Sequence, residues 1–210
     1  MRTLDVVDRS VRRLPRALVR CVGLALPVFA ALNLVSLATE SVVVVLFVGV
    51  LAFGLAYALV ATVVAAADVD DRAARPPAPA TALLRREGPI LASVVVGSLV
   101  ASVASALGLL LLVVPGLVLA TRWSLLVPVL VVERVEWRAG LGRSAGLVAG
   151  HGWPVFGVLL CLGIPYYAIA IGLAGLGSFA YWASVSILDT IWCVLGAVAA
   201  VEMYVRLRRG

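Results

Sequence analysis

The sequence is 210 residues long, with 63% hydrophobic residues, 13% charged residues and a mean hydropathy of +1.13. A soluble domain carries charge on about 25% of its residues, so this composition excludes an ordinary soluble globule and indicates a membrane protein. The net charge is +6, and the chain has no lysine, so arginine supplies its positive charge. We interpret this as the bias of a GC-rich, bacterial genome.

Six apolar segments are long enough to be considered as membrane spans, which require about 20 apolar residues each. They cover residues 17–38, 42–67, 90–114, 117–132, 153–176 and 179–205. The fourth is the shortest and contains Arg122 and Pro128, so it is either a short span or the returning arm of a re-entrant hairpin. The sequence therefore predicts an all-α integral membrane bundle of about six transmembrane helices with two interfacial amphipathic helices.

The positions of the arginines predict the orientation of these spans. Every arginine except Arg122 lies before or at the start of the first span, in 68–89, in 133–152 or in the C-terminal tail. The turns near Glu40, Pro115 and Gly177 contain none. Because positive residues are retained in the cytoplasm, we expect a multi-pass protein of a bacterial inner membrane with both termini cytoplasmic. A cleaved signal peptide is the alternative for the first segment, but the region before it is long and contains acidic residues.

The two predicted interfacial helices share one plan. Leu4, Val7 and Val11 recur at helical spacing, and arginine and aspartate fill the other faces, as in helices that lie among anionic headgroups. We expect Pro15 to end this helix, and Pro154 to open a span after the second one. The single membrane domain, 1–210, then divides into an interfacial helix (1–16), a first helix pair (17–67), a cytosolic Pro-rich loop (68–89), a second pair (90–132), an interfacial helix (133–152) and a third pair (153–205).

Small residues recur every four positions in two spans. One row contains Gly54, Ala58, Thr62 and Ala66, and the other contains Ser93, Gly97, Ala101 and Ser105. Such rows allow helix backbones to approach closely in lipid, although Ala-rich spans also produce them by chance. We expect the Ser93 row, with Ser98 and Ser102 beside it, to be the better packing face.

The three cysteines, Cys21, Cys161 and Cys193, each lie alone in an apolar segment. No pair has the spacing of a metal-ligand or redox motif, so we expect free, buried thiols.

Two charged residues, Arg122 and Asp189, lie well inside predicted spans. A charge within a span is by default a structural or functional centre with a partner. Three interpretations remain open for Arg122. It pairs with Asp189 and joins the fourth span to the sixth, it reaches out of the hydrocarbon to a lipid phosphate, or it lines a polar pathway for a solute.

The region 113–153 has a recognisable pattern. It contains, in order, Pro115, Gly116, Arg122, Trp123, Pro128, Glu133, Arg143 and Ser144. This pattern resembles the membrane-domain family named after glycerophosphoryl diester phosphodiesterase, whose members are multi-span bacterial proteins mostly of unknown function. The resemblance implies a Pro-Gly turn, a span with an Arg-Trp pair that ends at a glutamate, and an amphipathic Arg-Ser segment. It does not imply phosphodiesterase activity, because the soluble domain that gives the family its name has no counterpart in this sequence.

Acidic residues give little support for an enzyme. Asp70 and Asp71 resemble the start of the CDP-alcohol phosphotransferase signature, but no further acids follow Gly88 at the spacing that its metal site needs. We interpret these aspartates as the start of a solvated loop. Glu133 and Glu136 could share a helix face for acid–base chemistry, but neighbouring arginines favour salt bridges.

We therefore expect a non-enzymatic membrane protein that binds phospholipid or a partner protein. The partner is either a different protein or a second copy of the same chain. A small transporter or channel component is the alternative, and an enzyme that modifies lipid headgroups is the second alternative. We expect no catalytic residues, cofactor or metal, and no nucleic acid, since the sequence contains no soluble basic module.

Overall fold

The computed structural model describes residues 3–39, 41–176 and 178–209, and the secondary structure of these residues is helical. The predicted turn positions Glu40 and Gly177 lie outside the described residues. The helices are α1 (Thr3–Ala38), α2 (Val42–Arg72), α3 (Ala80–Arg86), α4 (Gly88–Leu111), α5 (Val113–Trp123), α6 (Leu126–Glu133), α7 (Trp137–Val148), α8 (Gly152–Leu173) and α9 (Ser178–Arg209). The all-α prediction is confirmed for this part of the chain.

Six stretches of the described chain are long and apolar enough to cross a membrane, which confirms the predicted number. They are Thr3–Val35, Val43–Arg72, Gly88–Leu111, Val113–Glu133, Gly152–Leu173 and Ala180–Arg209. Helices satisfy their own backbone hydrogen bonds, which is why long apolar segments adopt this structure in lipid. The protein is a multi-span integral membrane protein.

Helices α1 and α9 pack against each other along most of their length. Arg206 donates a hydrogen bond to the backbone carbonyl of Asp5 (3.1 Å), so the first and last described residues lie at the same end of the bundle. We call this the arginine end, because Arg13, Arg86, Arg134 and Arg206 lie there. Its location on the cytoplasmic side stays a prediction.

The N-terminal segment is not a separate helix. Pro15 lies inside α1, so the prediction that this proline ends an interfacial helix is wrong. A proline inside a helix removes one backbone hydrogen bond, and burial on both sides of it offsets that loss. Val6 and Cys21 are each fully buried, so the packing of α1 continues past the proline.

A tight hairpin joins α4 to α5. The helical geometry is interrupted at Leu112, whose backbone is extended, and Pro115 already lies in the first turn of α5. The turn therefore precedes the Pro-Gly pair that was predicted to form it. A Cβ atom at Gly116 would overlap the backbone of Leu109, so glycine at this position is what lets the two helices approach so closely.

The fourth apolar segment crosses the bundle completely. It consists of α5 and α6, which are separated by a break at Ser124 and Leu125. Its far end lies at the arginine end, where Arg134 reaches Glu87 at 2.9 Å. A stretch of 21 residues is about 30 Å long at the helical rise, which is the thickness of the hydrocarbon layer. The length of this segment therefore supports a span over a re-entrant hairpin.

Helix α7 packs against the bundle and does not lie free among headgroups. Arg134 has a positive φ of 52° and reverses the chain after α6. A Cβ atom at Gly140 would overlap the Leu130 side chain, and the backbone N–H of Trp137 donates to Ser93 Oγ (2.7 Å). The predicted interfacial segment 133–152 thus contains a shorter helix, Trp137–Val148, one face of which packs against α4 and α6.

The two rows of small residues pack in different directions. A Cβ atom at Gly54 would lie 3.0 Å from Ser102 Oγ, so the first row faces α4. A Cβ atom at Gly97 would lie 3.0 Å from Trp137 Cβ, so the second row faces α6 and α7. Gly54 and Gly97 therefore lie where helices approach closely, whereas Ala101 and Ser105 of the second row line a cavity.

The segment after α2 is ion-paired at the arginine end. Asp70 is 3% exposed and contacts Arg86 at 2.8 Å and Arg75 at 3.1 Å. The interpretation of Asp70 as a solvated residue is wrong, because α3 folds back over the end of α2. Glu87, also buried, contacts Arg86 at 3.1 Å and Arg134 at 2.9 Å. The hydrogen bond to the Asp70 carboxylate raises the pKa of Arg86. We call these five residues the ion-pair network.

The three cysteines are free, as predicted. Cys21 and Cys193 are buried, but Cys161 is exposed on the surface of α8. The prediction of burial is wrong for Cys161, because an apolar segment does not specify which of its residues face lipid and which face protein.

Candidate functional site

Arg122 and Asp189 do not form an ion pair. Within the part of the chain that the structure describes, no acidic oxygen lies within 4.0 Å of the Arg122 guanidinium, whose side chain is exposed. The Arg122 backbone carbonyl instead accepts a hydrogen bond from Ser144 Oγ (2.8 Å). The break between α5 and α6 is stabilised in this way by α7, and the Arg122 side chain points away from the bundle.

The other residues of the 113–153 pattern are spread along α5, α6 and α7. Glu133 accepts hydrogen bonds from Arg143 (3.0 Å) and from the Tyr204 hydroxyl (3.1 Å). Pro128 is buried within α6. Trp123 lies on the opposite side of α5 from the solvent or lipid and lines a cavity. The pattern therefore brings α5, α6 and α7 together, and only Trp123 among these residues contributes to a ligand-sized space.

Asp189 has neutral hydrogen-bonding partners. The Tyr166 hydroxyl of α8 donates to its Oδ1 (2.6 Å), and Asn33 of α1 also interacts with its side chain. Asn33 is buried and donates to Ser186 Oγ (2.7 Å). No arginine lies within 4.0 Å of the Asp189 carboxyl among the described residues. Asp189 thus connects three helices without a counter-ion.

A cavity of about 740 Å³ lies beside Asp189. We call it the lateral cavity, and residues of α2, α4, α5, α6, α8 and α9 line it. Its lining includes Phe53, Tyr57, Ser98, Ser102, Trp123, Ser124, Gly163, Tyr166, Asp189 and Trp192. Exposed residues of three helices show where the cavity opens on the flank of the bundle. Phe53 of α2, Leu109 of α4 and Tyr167 of α8 line the cavity and are exposed. These three residues belong to helices that are long and apolar enough to span a membrane.

The polar groups of the lateral cavity are few and specific. Asp189 is the acidic side chain among the described residues that line it, and no basic side chain lines it. Ser98 is 4% exposed, and its Oγ has no hydrogen-bond partner among the described residues. An unsatisfied buried hydroxyl is costly, so a ligand that supplies a polar group would relieve it. Ser102, Ser105 and Ser124 add further hydroxyl groups, and the rest of the wall is apolar or aromatic.

A second, smaller space lies at the arginine end. This cleft of about 180 Å³ is lined by Arg13, Arg16, Arg20, Asp68 and Asp71, together with apolar residues of α1, α2 and α9. Arg13 is already engaged, since it lies 3.2 Å from Asp68 and 2.7 Å from Glu202. The cleft therefore combines positive and negative groups that largely neutralise one another.

Sequence reasoning identified Asp189 and Trp123 but not the residues that surround them. Tyr166 follows a proline in α8, and Trp192 lies three residues after Asp189, so both positions carried a local signal. Trp192 Nε1 donates to the Leu162 carbonyl (2.6 Å), which fixes α8 against α9. Asn33 and Ser98 carried no signal, because single polar residues are common in such spans.

The described residues contain no group of three or more histidine, cysteine, aspartate or glutamate side chains placed to hold one metal ion. No protein-family model, curated protein or solved structure matches the chain. The resemblance to the membrane-domain family named after glycerophosphoryl diester phosphodiesterase therefore stays a prediction.

Proposed function

We propose that this protein is a non-enzymatic membrane protein that binds an amphipathic lipid-like molecule in the lateral cavity. The observation that supports this proposal best is the cavity itself. Its volume of about 740 Å³ lies within the range of about 300–1,000 Å³ that is typical of small-molecule sites. Its wall is mostly apolar, with a small number of polar groups near Asp189.

The position of the opening favours a ligand that arrives from the membrane. The exposed lining residues Phe53, Leu109 and Tyr167 belong to three different helices, so a hydrocarbon chain can enter between them without leaving lipid. A water-soluble solute would instead need a polar route to one end of the bundle. The lining places aromatic and aliphatic side chains at the opening, which supports lipid binding over the alternative of a small transporter or channel component.

The unpaired Arg122 supports a second contact with lipid. Its guanidinium is exposed and has no acidic partner among the described residues, and arginine binds phosphate oxygens through two parallel hydrogen bonds. The pairing interpretation is excluded by the geometry, and the polar-pathway interpretation loses support because Arg122 does not line the lateral cavity. Contact with a phospholipid phosphate is the interpretation that remains.

Two phenylalanine substitutions on α8 test the proposal. Gly163 lines the lateral cavity, and a Cβ atom there would meet nothing within 4 Å, so Gly163→Phe should fill the cavity without disturbing the fold. Gly172 has equally open surroundings but does not line the cavity, so Gly172→Phe is the matched control. Each protein is purified in mild detergent, and retained lipids are quantified by mass spectrometry.

We expect the wild-type protein and Gly172→Phe to retain one class of amphipathic molecule in near-equal molar amounts with the protein. Gly163→Phe should lose most of it. Equal retention by all three proteins would show that bound lipid lies elsewhere. Solute flux in proteoliposomes that Gly163→Phe abolishes would instead support the transporter alternative.

A further inference from the structure

The lateral cavity has an uncompensated acidic group. Asp189 lines the cavity, and its described partners, Tyr166 and Asn33, are neutral. An ionised carboxylate offers about four lone-pair positions, and these two neighbours satisfy only part of them. The acids at the arginine end, by contrast, lie next to arginines. Asp189 therefore has the capacity to accept a positively charged group from a ligand.

Aromatic rings line the same cavity as the Asp189 carboxyl group. The rings of Tyr166 and Trp192 are 5.9 Å apart, and those of Tyr166 and Tyr167 are 5.1 Å apart. All three line the cavity, as does Tyr57. The faces of tyrosine and tryptophan attract cations, most strongly where water is excluded. An acid with several aromatic neighbours is a combination that recognises substituted ammonium groups.

The same chemistry argues against an anionic headgroup in this cavity. A phosphate near Asp189 would meet a like charge, and no arginine among the described lining residues would compensate it. Like charges within a few ångströms are strongly unfavourable at low dielectric constant. The lateral cavity therefore favours a cationic group over an anionic one. The exposed Arg122 on the outer surface has the opposite preference.

We propose that the ligand of the lateral cavity is a cationic amphiphile, with Asp189 as its counter-ion and Tyr166 and Trp192 against its ammonium group. The hydrocarbon tail extends through the opening beside Phe53. This inference rests on the proposed function, since it specifies the ligand of the same cavity. The partners of Asp189 are neutral. Tyr166 and Asn33 therefore orient its carboxyl group and leave its charge for the ligand.

Three bromine-labelled chains of equal length test the charge preference. They are 11-bromoundecyltrimethylammonium, 11-bromoundecanol and 11-bromoundecanoate, and bromine quenches tryptophan fluorescence on contact. Trp123 and Trp192 line the cavity, so binding there reduces the emission of the purified protein. In Gly163→Phe the cavity is filled, so the quenching that remains in this variant comes from compound dissolved in the detergent. This signal is subtracted from the quenching of the other proteins.

We expect the wild-type protein to bind the ammonium compound at least about tenfold more tightly than the alcohol. The free energy lost when a buried charge has no partner is larger than the free energy that a tenfold difference in affinity represents. Asp189→Asn keeps the size of the side chain and an oxygen that accepts from Tyr166. It should weaken ammonium binding at least about tenfold, to the level that the wild-type protein shows for the alcohol. Glu136→Gln, at an exposed acid outside the cavity, should have no effect.

The outcomes separate the two proposals. If the alcohol or the carboxylate binds the wild-type protein as tightly as the ammonium compound, the cationic inference is wrong and the cavity still binds amphiphiles. If the ammonium preference survives in Asp189→Asn, the inference is also wrong. If no compound shows quenching that Gly163→Phe removes, both proposals fail. The wild-type comparison decides the charge preference even if Asp189→Asn does not fold.

Discussion

Two regions of this bundle bury acidic groups in opposite ways. At the arginine end, Asp70 and Glu87 are almost fully buried, and each contacts two arginines. In the middle of the bundle, Asp189 contacts a phenol and an amide and lies beside a cavity. The first arrangement satisfies its charges internally and connects α2, α4 and α6. The second leaves an acid available to a ligand.

This contrast shows that the charge of a buried residue does not by itself reveal its role. Removing a carboxylate that has compensating arginines is expected to destabilise the fold, because it leaves those charges unpaired. A carboxyl group with neutral partners next to an open space is expected to contribute less to stability and more to binding. The same substitution at both positions should therefore have different effects.

The largest stability effect is expected from Asp70→Asn. It removes two ion pairs from the ion-pair network, and we expect a loss of about 2 kcal/mol, less than the 3–5 kcal/mol typical of a fully buried pair. The reduction follows from the partial exposure of Arg75 and Arg86, whose charges are screened by solvent. Unfolding by denaturing detergent measures the loss. Asp189→Asn should cost less than about 1 kcal/mol, since it breaks no ion pair and the amide oxygen still accepts the hydrogen bond from Tyr166. A greater loss for Asp189→Asn would reverse the comparison.

A second prediction concerns the contact between α7 and α6. Gly140→Ala should destabilise the protein by about 1–2 kcal/mol, because the added methyl group overlaps Leu130 in a tightly packed region. Gly142→Ala on the same helix meets nothing within 4 Å and should be neutral or stabilising by up to about 1 kcal/mol, since alanine favours helix more than glycine does. The same unfolding assay compares them. Equal effects at both positions would contradict the packing of α7 described above.

The smallest effects are expected at Arg122 and Ser144. Arg122→Gln should change the free energy of unfolding by less than about 0.5 kcal/mol, as for other exposed side chains without a specific partner. Ser144→Ala removes the hydrogen bond to the Arg122 carbonyl and should cost about 1 kcal/mol. Denaturation of both variants in lipid-free detergent provides the test. A loss for Arg122→Gln that exceeds the loss for Ser144→Ala would indicate a partner for the guanidinium.

The number of spans and their approximate bounds could be predicted because lipid imposes a simple rule. A backbone in hydrocarbon must satisfy its own hydrogen bonds, so apolar runs of sufficient length become helices whatever their detailed sequence. The start of the fifth span could also be predicted, since Pro154 lies in the first turn of α8, where a proline costs no backbone hydrogen bond.

The side-chain partners could not be predicted in the same way. Whether Asp189 meets Arg122 or Tyr166 depends on the rotation of each helix about its axis, and composition alone does not determine that rotation. Pro15 shows a related difficulty. A local rule predicts that this proline ends a helix, but packing against α9 maintains the helix on both sides of it. The resemblance in 113–153 identified residues that meet in space, but it did not distinguish Trp123, which lines the cavity, from Arg122, which does not.

The most direct test of the central claim is an experimental structure of the wild-type protein in lipid nanodiscs. We predict an elongated, non-protein density in the lateral cavity that extends from Asp189 and Tyr166 towards the opening beside Phe53. A structure in which α2 and α4 close against α8, with Phe53 and Tyr167 in contact and no space beside Asp189, would contradict the account.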